Sequence, residues 1–288
     1  MSGSVPAAEQ VRQATLTRVQ SATVVLASDQ HVFRYDGRSS RTFSACDGTV
    51  CGVSQASEGL QAAVARASAD PRLDFGSSHF AARLEDSLEL KPETRAVNGV
   101  TLVEGFGLRS GDRAFRAKFY GGWLEDGAFF VNETTLTVRD ESGQPDGLGT
   151  VFDASALGVA NDVAPASVQG MSATWTGMMI GADVGDTVTR GQFLRGDATL
   201  VIDNLADPDV DVAFSDLRDL ETGARLAERT IAPWQDIPLS GGSFGSKPVG
   251  SDDYIQGSFV GGGHAGVVGI FERGNVVGSF GGNRQPDS

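Results

Sequence analysis

The sequence predicts an all-β protein with one short helix, built as an N-terminal β-rich domain followed by a C-terminal eight-stranded antiparallel β-barrel. Three observations carry this expectation. Glycine is abundant, 38 of 288 residues, which suits short strands and turns rather than long helices. β-branched and aromatic residues gather in short runs roughly ten residues apart, the pattern of a sandwich or barrel. In the last stretch, Gly257, Gly261, Gly269, Gly274, Gly278 and Gly281 recur beside Phe259, Phe271 and Phe280. Glycine inside strands marks bulges, barrel corners or close backbone approach, and alternating aromatics supply the inward face of a sheet.

Residues 1–20 are polar, lack sustained periodicity and read as a flexible N-terminal segment. Residues 21–168 are read as the N-terminal domain. β-branched content rises from Ala22 to Leu26, His31-Val32-Phe33-Arg34-Tyr35 alternates, and Asp36-Gly37 turns the chain toward Arg41–Ser44. Asp47-Gly48 is a second turn signal, lying between Cys46 and Cys51. Ser57–Ala69 is the helix: Ser57 caps it, Leu60, Ala63, Val64 and Ala67 share one face, and Pro71 stops it. Arg83–Leu90 is read as strand. Asn98-Gly99 turns into the alternating Val100–Phe106. Phe115–Leu124 and Gly127–Val131 form an aromatic-rich hairpin. Residues 143–166, rich in Gly, Pro, Asp, Ala and Ser, are read as loops.

Residues 169–288 are read as the barrel. Its strands are placed at Ser172–Met179, Gly191–Leu194 running into Asp197–Ile202, Val210–Leu217, Leu226–Ile231, Trp234–Leu239, Phe244, Ile255–Val260, Val267–Glu272 and Val276–Phe280. Closure removes the exposed edges that so many short strands would leave. Trp175, Phe193, Phe214, Trp234, Phe244, Phe259, Phe271 and Phe280 are the expected core. That density of rings argues against a hollow carrier of a small apolar ligand.

Composition narrows function by exclusion. The formal net charge is −14, from 23 basic and 37 acidic residues. Phosphate neutralisation therefore cannot support nucleic-acid binding, and an anionic membrane surface is equally disfavoured. No apolar run reaches the roughly 18 residues of a spanning helix, and no basic-then-apolar leader opens the sequence.

Catalytic motifs are absent. Gly241-Gly242-Ser243-Phe244-Gly245 approaches the nucleophile elbow but lacks the helix that must follow. Gly105–Gly111 imitates a dinucleotide fingerprint with the wrong final spacing. Asp207, Asp209 and Asp211 fall on one face of an extended segment, yet the glycine and distal glutamate of a calcium loop are missing, so a solvated face is expected. No convergent acid, base and nucleophile set emerges, and no enzyme is expected.

The C-terminal strands also carry a resemblance. Gly257-Ser258-Phe259-Val260-Gly261, Val268-Gly269-Ile270-Phe271 and the closing Gly278-Ser279-Phe280-Gly281-Gly282-Asn283-Arg284 resemble the last strands of the C-terminal β-barrel domain of bacterial transferrin-binding protein B and its relatives. The departures are Val260 for a tyrosine, Gly262 for a proline, and Val267 near an acidic position. The likeness extends more weakly upstream to Ala173-Thr174-Trp175-Thr176-Gly177. It implies a non-catalytic binding protein, exported to the cell outer membrane surface or secreted, serving iron or haem acquisition, with ligand specificity in the N-terminal domain. An adhesin or host-factor-binding protein with no iron role is the alternative.

Haem is the cofactor the resemblance raises. His79, in the aromatic-flanked Phe75-Gly76-Ser77-Ser78-His79-Phe80, and His31 are the candidate axial ligands. Tyr120 and Trp123, with Phe119 and Phe130, are the candidate binding surface, against the plainer reading of core packing. His264 is read as a loop feature between barrel strands. A turn at Asp47-Gly48 brings Cys46 and Cys51 close enough for a disulfide, given the oxidising compartment that export implies; no metal site is expected. The partner is a protein or haem, and the chain is expected to act as a monomer.

Overall fold

The computed structural model describes residues 22–28, 30–34, 39–42, 89–97, 99–109, 115–139, 145–161, 172–185, 188–205, 208–249 and 251–286. These form an eight-stranded sheet packed against a closed eight-stranded antiparallel barrel. The sheet contains β1 (Val24–Ala27), β2 (Gln30–Arg34), β3 (Ser39–Thr42), β4 (Glu89–Val97), β5 (Val100–Arg109), β6 (Phe115–Trp123), β7 (Gly127–Arg139) and β8 (Pro145–Gly158). Its order is β3-β2-β8-β7-β6-β5-β4, with β1 also pairing β8. The barrel runs through β9 (Ala173–Asp183), β10 (Phe193–Ile202), β11 (Asp209–Asp219), β12 (Trp234–Ser240), β13 (Ser243–Ser246), β14 (Tyr254–Val260), β15 (Gly266–Arg273) and β16 (Val276–Arg284), and closes by β16 pairing β9. The all-β expectation and the eight-stranded barrel both hold.

The Gly–Phe pattern has a direct structural meaning. Phe244 lies opposite Gly257, Phe271 opposite Gly278, and Phe280 opposite Gly269. Each ring lies over its partner glycine, where a Cβ would collide with it. Small residues across from large ones let the inner layer interdigitate at native density. The lumen is consequently full. Trp175, Phe214, Trp234, Phe244, Phe259, Phe271 and Phe280 belong to one buried cluster. Phe214 lies 4.6 Å from Phe271, and Trp175 lies 4.7 Å from Phe259, centroid to centroid.

The barrel's outer face is not all solvated. Met178, Ile180, Val268, Ile270 and Val277 pack with Phe129, Val131, Ala154 and Ala156 of the sheet in a second buried cluster. That shared face explains why β9, β15 and β16 read as nearly continuous apolar runs: both of their surfaces are covered.

Three expectations are corrected. The segment read as loops at 143–166 contains β8, fourteen residues long and paired with β7, β1 and β2. Its Ala154 and Ala156 face the barrel, while Ser155 and Leu157 are buried on the opposite face. With both faces buried and small side chains required, the usual polar–apolar alternation is lost. Leu226–Ile231 is not a strand. The chain turns there, with the Arg229 N–H donating to the Leu226 carbonyl at 3.0 Å. Arg229 also reaches Asp183, its Nη1 2.5 Å from Oδ2. Phe193 is buried, but in the sheet–barrel cluster rather than the lumen, against Tyr120 at 4.8 Å. The Ser57–Ala69 helix, the segment 1–20 and residues 83–88 of the strand expected at Arg83–Leu90 lie outside the described residues.

Candidate functional site

The barrel wall is weakest between β12 and β13. These strands are joined by Gly241-Gly242, and Gly241 has φ +59, the left-handed backbone that a two-residue hairpin turn needs and that glycine adopts freely. The ladder covers only Ser240↔Ser243 and Leu239↔Phe244. Hydrogen-bonded pairs alternate along an antiparallel ladder, so the rung after Leu239↔Phe244 calls for an N–H from residue 238. That residue is Pro238, which has none. β12 is also bulged at Asp236, where φ is +52. The Asp236 N–H donates to Asp211 Oδ1 at 2.9 Å, and β12 slips register against β11 between Val210 and Val212. The bulge lets both Trp234 and Ile237 enter the lumen despite their odd spacing, and a bulged strand bends away from its neighbour.

A groove of about 430 Å³ opens at this seam, lined on the outer wall by Pro238, Ser240, Ser243, Gly245 and Gln256, with Phe244 and Ile255 beneath and Lys247 at one end. Ser243 and Ser258 hydroxyls lie 3.3 Å apart, and Ser258 also donates to the Gly242 carbonyl at 3.4 Å. Gln256 is nine-tenths buried, and its Oε1 has no hydrogen-bond partner among the described residues. The set offers hydrogen bonds over an apolar floor. It contains no acid–base pair. Among the described residues no three His, Cys, Asp or Glu side chains cluster as metal ligands.

Among the described residues, those singled out from the sequence lie elsewhere, and His31, Tyr120 and Trp123 are not brought together. His31 is buried between sheet and barrel, with Nε2 3.2 Å from Glu272 Oε2. Tyr120 faces the barrel against Phe193. Trp123 faces the other way, its ring edge-on to Phe130 at 5.5 Å. Side chains three apart on a strand point to opposite faces, so Tyr120 and Trp123 share no surface. Trp123 is 1% exposed, and its Nε1 has no partner among the described residues. Farther along the same strands lies a buried polar pair, Asn132 donating to Asp153. His264 does sit in a loop, yet it is buried: its carbonyl accepts from Trp175 Nε1 at 2.8 Å, and its ring lies edge-on to Phe259 at 5.8 Å. His79, Cys46 and Cys51 lie outside the described residues. The signal that sequence reading passed over is Pro238, since proline inside a strand belongs at an edge or a bulge.

No family model matches the chain, and no curated protein matches it. Solved structures similar to it include a point mutant of transferrin-binding protein B from Actinobacillus pleuropneumoniae H49, with 10% identity, 91% of this chain and 99% of that chain covered, and a TM-score of 0.39. The N-lobe domain of lactoferrin-binding protein B from Moraxella bovis follows at 9% identity, 91% and 99% coverage, and a TM-score of 0.34. Isotype 1 transferrin-binding protein B from serogroup B Neisseria meningitidis has 13% identity and a TM-score of 0.33 over 91% of this chain. The chain spans under half the length of that last protein, 44% of it. Likeness at these values does not bear on activity or ligand.

Proposed function

We propose that this chain is a non-catalytic binding protein that uses the filled barrel as a rigid scaffold and contacts a partner protein through the groove at the β12–β13 seam. The groove carries this reading. It sets a hydrogen-bonding wall over an apolar floor on the outside of a barrel whose interior is occupied by aromatic rings. Sites on rigid elements hold their geometry, and the lumen leaves no room for a small ligand.

The finer steps follow from the resemblance of the C-terminal strands. The protein is exported, to the outer membrane surface or as a secreted protein, and its partner serves iron or haem acquisition. Transferrin, lactoferrin and ferric haem are therefore the first ligands to try. Immobilised chain would be exposed to each protein, beside a Ser243→Trp variant whose indole fills the groove. Ferric haem would be titrated in parallel into the chain and into His31→Ala and His79→Ala. Saturable retention of a protein by the parent chain, lost in Ser243→Trp, supports the reading. A one-to-one Soret shift abolished by one histidine variant, with no protein retained, would replace it with haem binding. Equal retention by parent and variant would remove the groove from it.

A further inference from the structure

We infer that the seam groove selects an apolar segment of its partner that carries an acidic residue, whose carboxylate meets Lys247; this rests on the binding role proposed above. Among the described residues, Lys247 is the one charged residue lining the groove. Its side chain is exposed, and its Nζ lies 5.6 Å from the centre of the Tyr254 ring. Tyr254 is buried in the sheet–barrel cluster, so this cation–π contact keeps the ammonium beside the outer wall. Exposed charges more than about 8 Å apart are largely screened at physiological salt. The sign of a contact in the groove is therefore set by Lys247 and not by the chain's total charge. Asp209 marks the opposite rim. It lies across the ladder from Pro238, and because Val210 enters the lumen, Asp209 faces outward. By strand spacing and rise it is roughly 12 Å from Lys247. A carboxylate is repelled at that rim and drawn to the other, which fixes the direction in which the segment lies.

The loop beyond the groove adds a second, independent indication. Val249 is one of two large apolar side chains that are fully exposed among the described residues, and it stands two positions past Lys247. A turn closed by the Ser251 N–H donating to the Pro248 carbonyl at 3.2 Å places Val249 at its tip. The same loop is tied to the barrel by Asp253, whose Oδ2 lies 3.2 Å from Arg273 Nε. The surface thus runs from the floor of Phe244 and Ile255, past one cation, to an apolar tip. Apolar surface rimmed by polar groups marks an interaction site. From Ser243 to Lys247 the wall extends about 13 Å, the length of about four extended residues. The occupant is a segment of a different protein with about four such residues, mostly apolar, then Asp or Glu, then an apolar residue toward Val249. It lies on the outer wall, over a barrel that stays closed beneath it.

The test uses an acetylated, amidated peptide, Ser-Leu-Thr-Val-Asp-Leu, titrated to about 5 mM into the isotope-labelled full chain. Amide shifts report both affinity and location. Saturable binding with shifts centred on Gly245, Ser246, Lys247 and Val249 is expected. The same peptide with Lys in place of Asp should bind about fivefold more weakly, because an exposed attraction becomes a repulsion. That preference should shrink as salt rises from about 50 mM to about 500 mM. Lys247→Glu, at an exposed position, should reverse the preference. Val249→Ser should weaken both peptides and leave the preference unchanged. Asp252→Asn removes an exposed acid from the same loop and should bind the Asp peptide at least as tightly as the parent does. No saturable binding, equal binding of the two peptides, a preference that survives Lys247→Glu, or shifts confined to other strands would overturn the inference. Retention of a whole partner that Ser243→Trp abolishes and Lys247→Glu leaves unchanged would keep the binding role and discard the acidic contact alone.

Discussion

His31 on β2 and Glu272 on β15 meet across the sheet–barrel interface, Nε2 to Oε2 at 3.2 Å, with both side chains buried. The contact joins segments 241 residues apart in sequence. Removing His31 takes one hydrogen bond from a buried carboxylate, which costs more than the bond's own net value. His31→Ala should therefore lower unfolding free energy by about 2 kcal/mol, measured by urea denaturation. His31→Ala combined with Glu272→Leu should recover part of that loss. A single variant as stable as the parent would show that the contact contributes nothing to docking the sheet.

Asp183, at the end of β9, ties two loops to the barrel. Burial pushes its carboxyl pKa up, but hydrogen bonds from Thr189 Oγ1, Arg229 and the Gly185 N–H outweigh that and hold it below its ordinary value. A depressed folded-state pKa stabilises the protein above the unfolded pKa, and that stability drains away as pH falls through the folded value. Asp183→Asn should therefore melt below the parent at neutral pH. The gap should narrow once pH drops below about 4. Melting temperatures by circular dichroism across pH 2–7, an interval of roughly the carboxylate range, check this. A gap that stays constant into acid would refute the linkage.

The Gly269–Phe280 pair tests the origin of the C-terminal pattern. Gly269→Val would force the β-carbon into the Phe280 ring and toward the Gln256 carbonyl, at a cost of about 3 kcal/mol. Phe280→Ala opens a cavity in the lumen and should cost about 4 kcal/mol. Because the two side chains occupy one space, the double variant Gly269→Val/Phe280→Ala should be less unstable than the sum of the singles. Strict additivity in a double-mutant cycle would show that the ring and the glycine do not share that space.

Asp236 tests the bulge. A β-branched residue held at φ +52 incurs the left-handed penalty, about 1–2 kcal/mol, while keeping the backbone N–H that reaches Asp211. Asp236→Val should be destabilised by that amount, and Asp236→Gly should be close to neutral or slightly more stable. Urea denaturation of both variants checks this. Equal effects from the two substitutions would mean that β12 can straighten.

How far the sequence could be read follows from the range of the forces involved. The Gly–Phe alternation from Gly257 to Phe280 is local chemistry repeated along each strand, so the barrel and its aromatic core were legible. Pro238 was legible too, as a residue at odds with a central strand, though nothing in a single strand says which neighbour's rung goes unmade. β8 was hidden because its two faces are both buried, and burial on both faces erases the alternation that identifies a strand. Tyr120 and Trp123 share an aromatic run yet sit on opposite faces, which the period of two already implies.

The sequence by itself determined the strand-rich class, the closed barrel and the residues that fill it, because periodicity and side-chain volume act between near neighbours. Only the tertiary structure decided that His31 would face Glu272, that Phe193 would leave the lumen for the sheet, and that a rung between β12 and β13 would go unmade at Pro238. Each of those depends on register between segments distant in the chain, and register is settled by packing across the whole molecule rather than by any one segment's pattern.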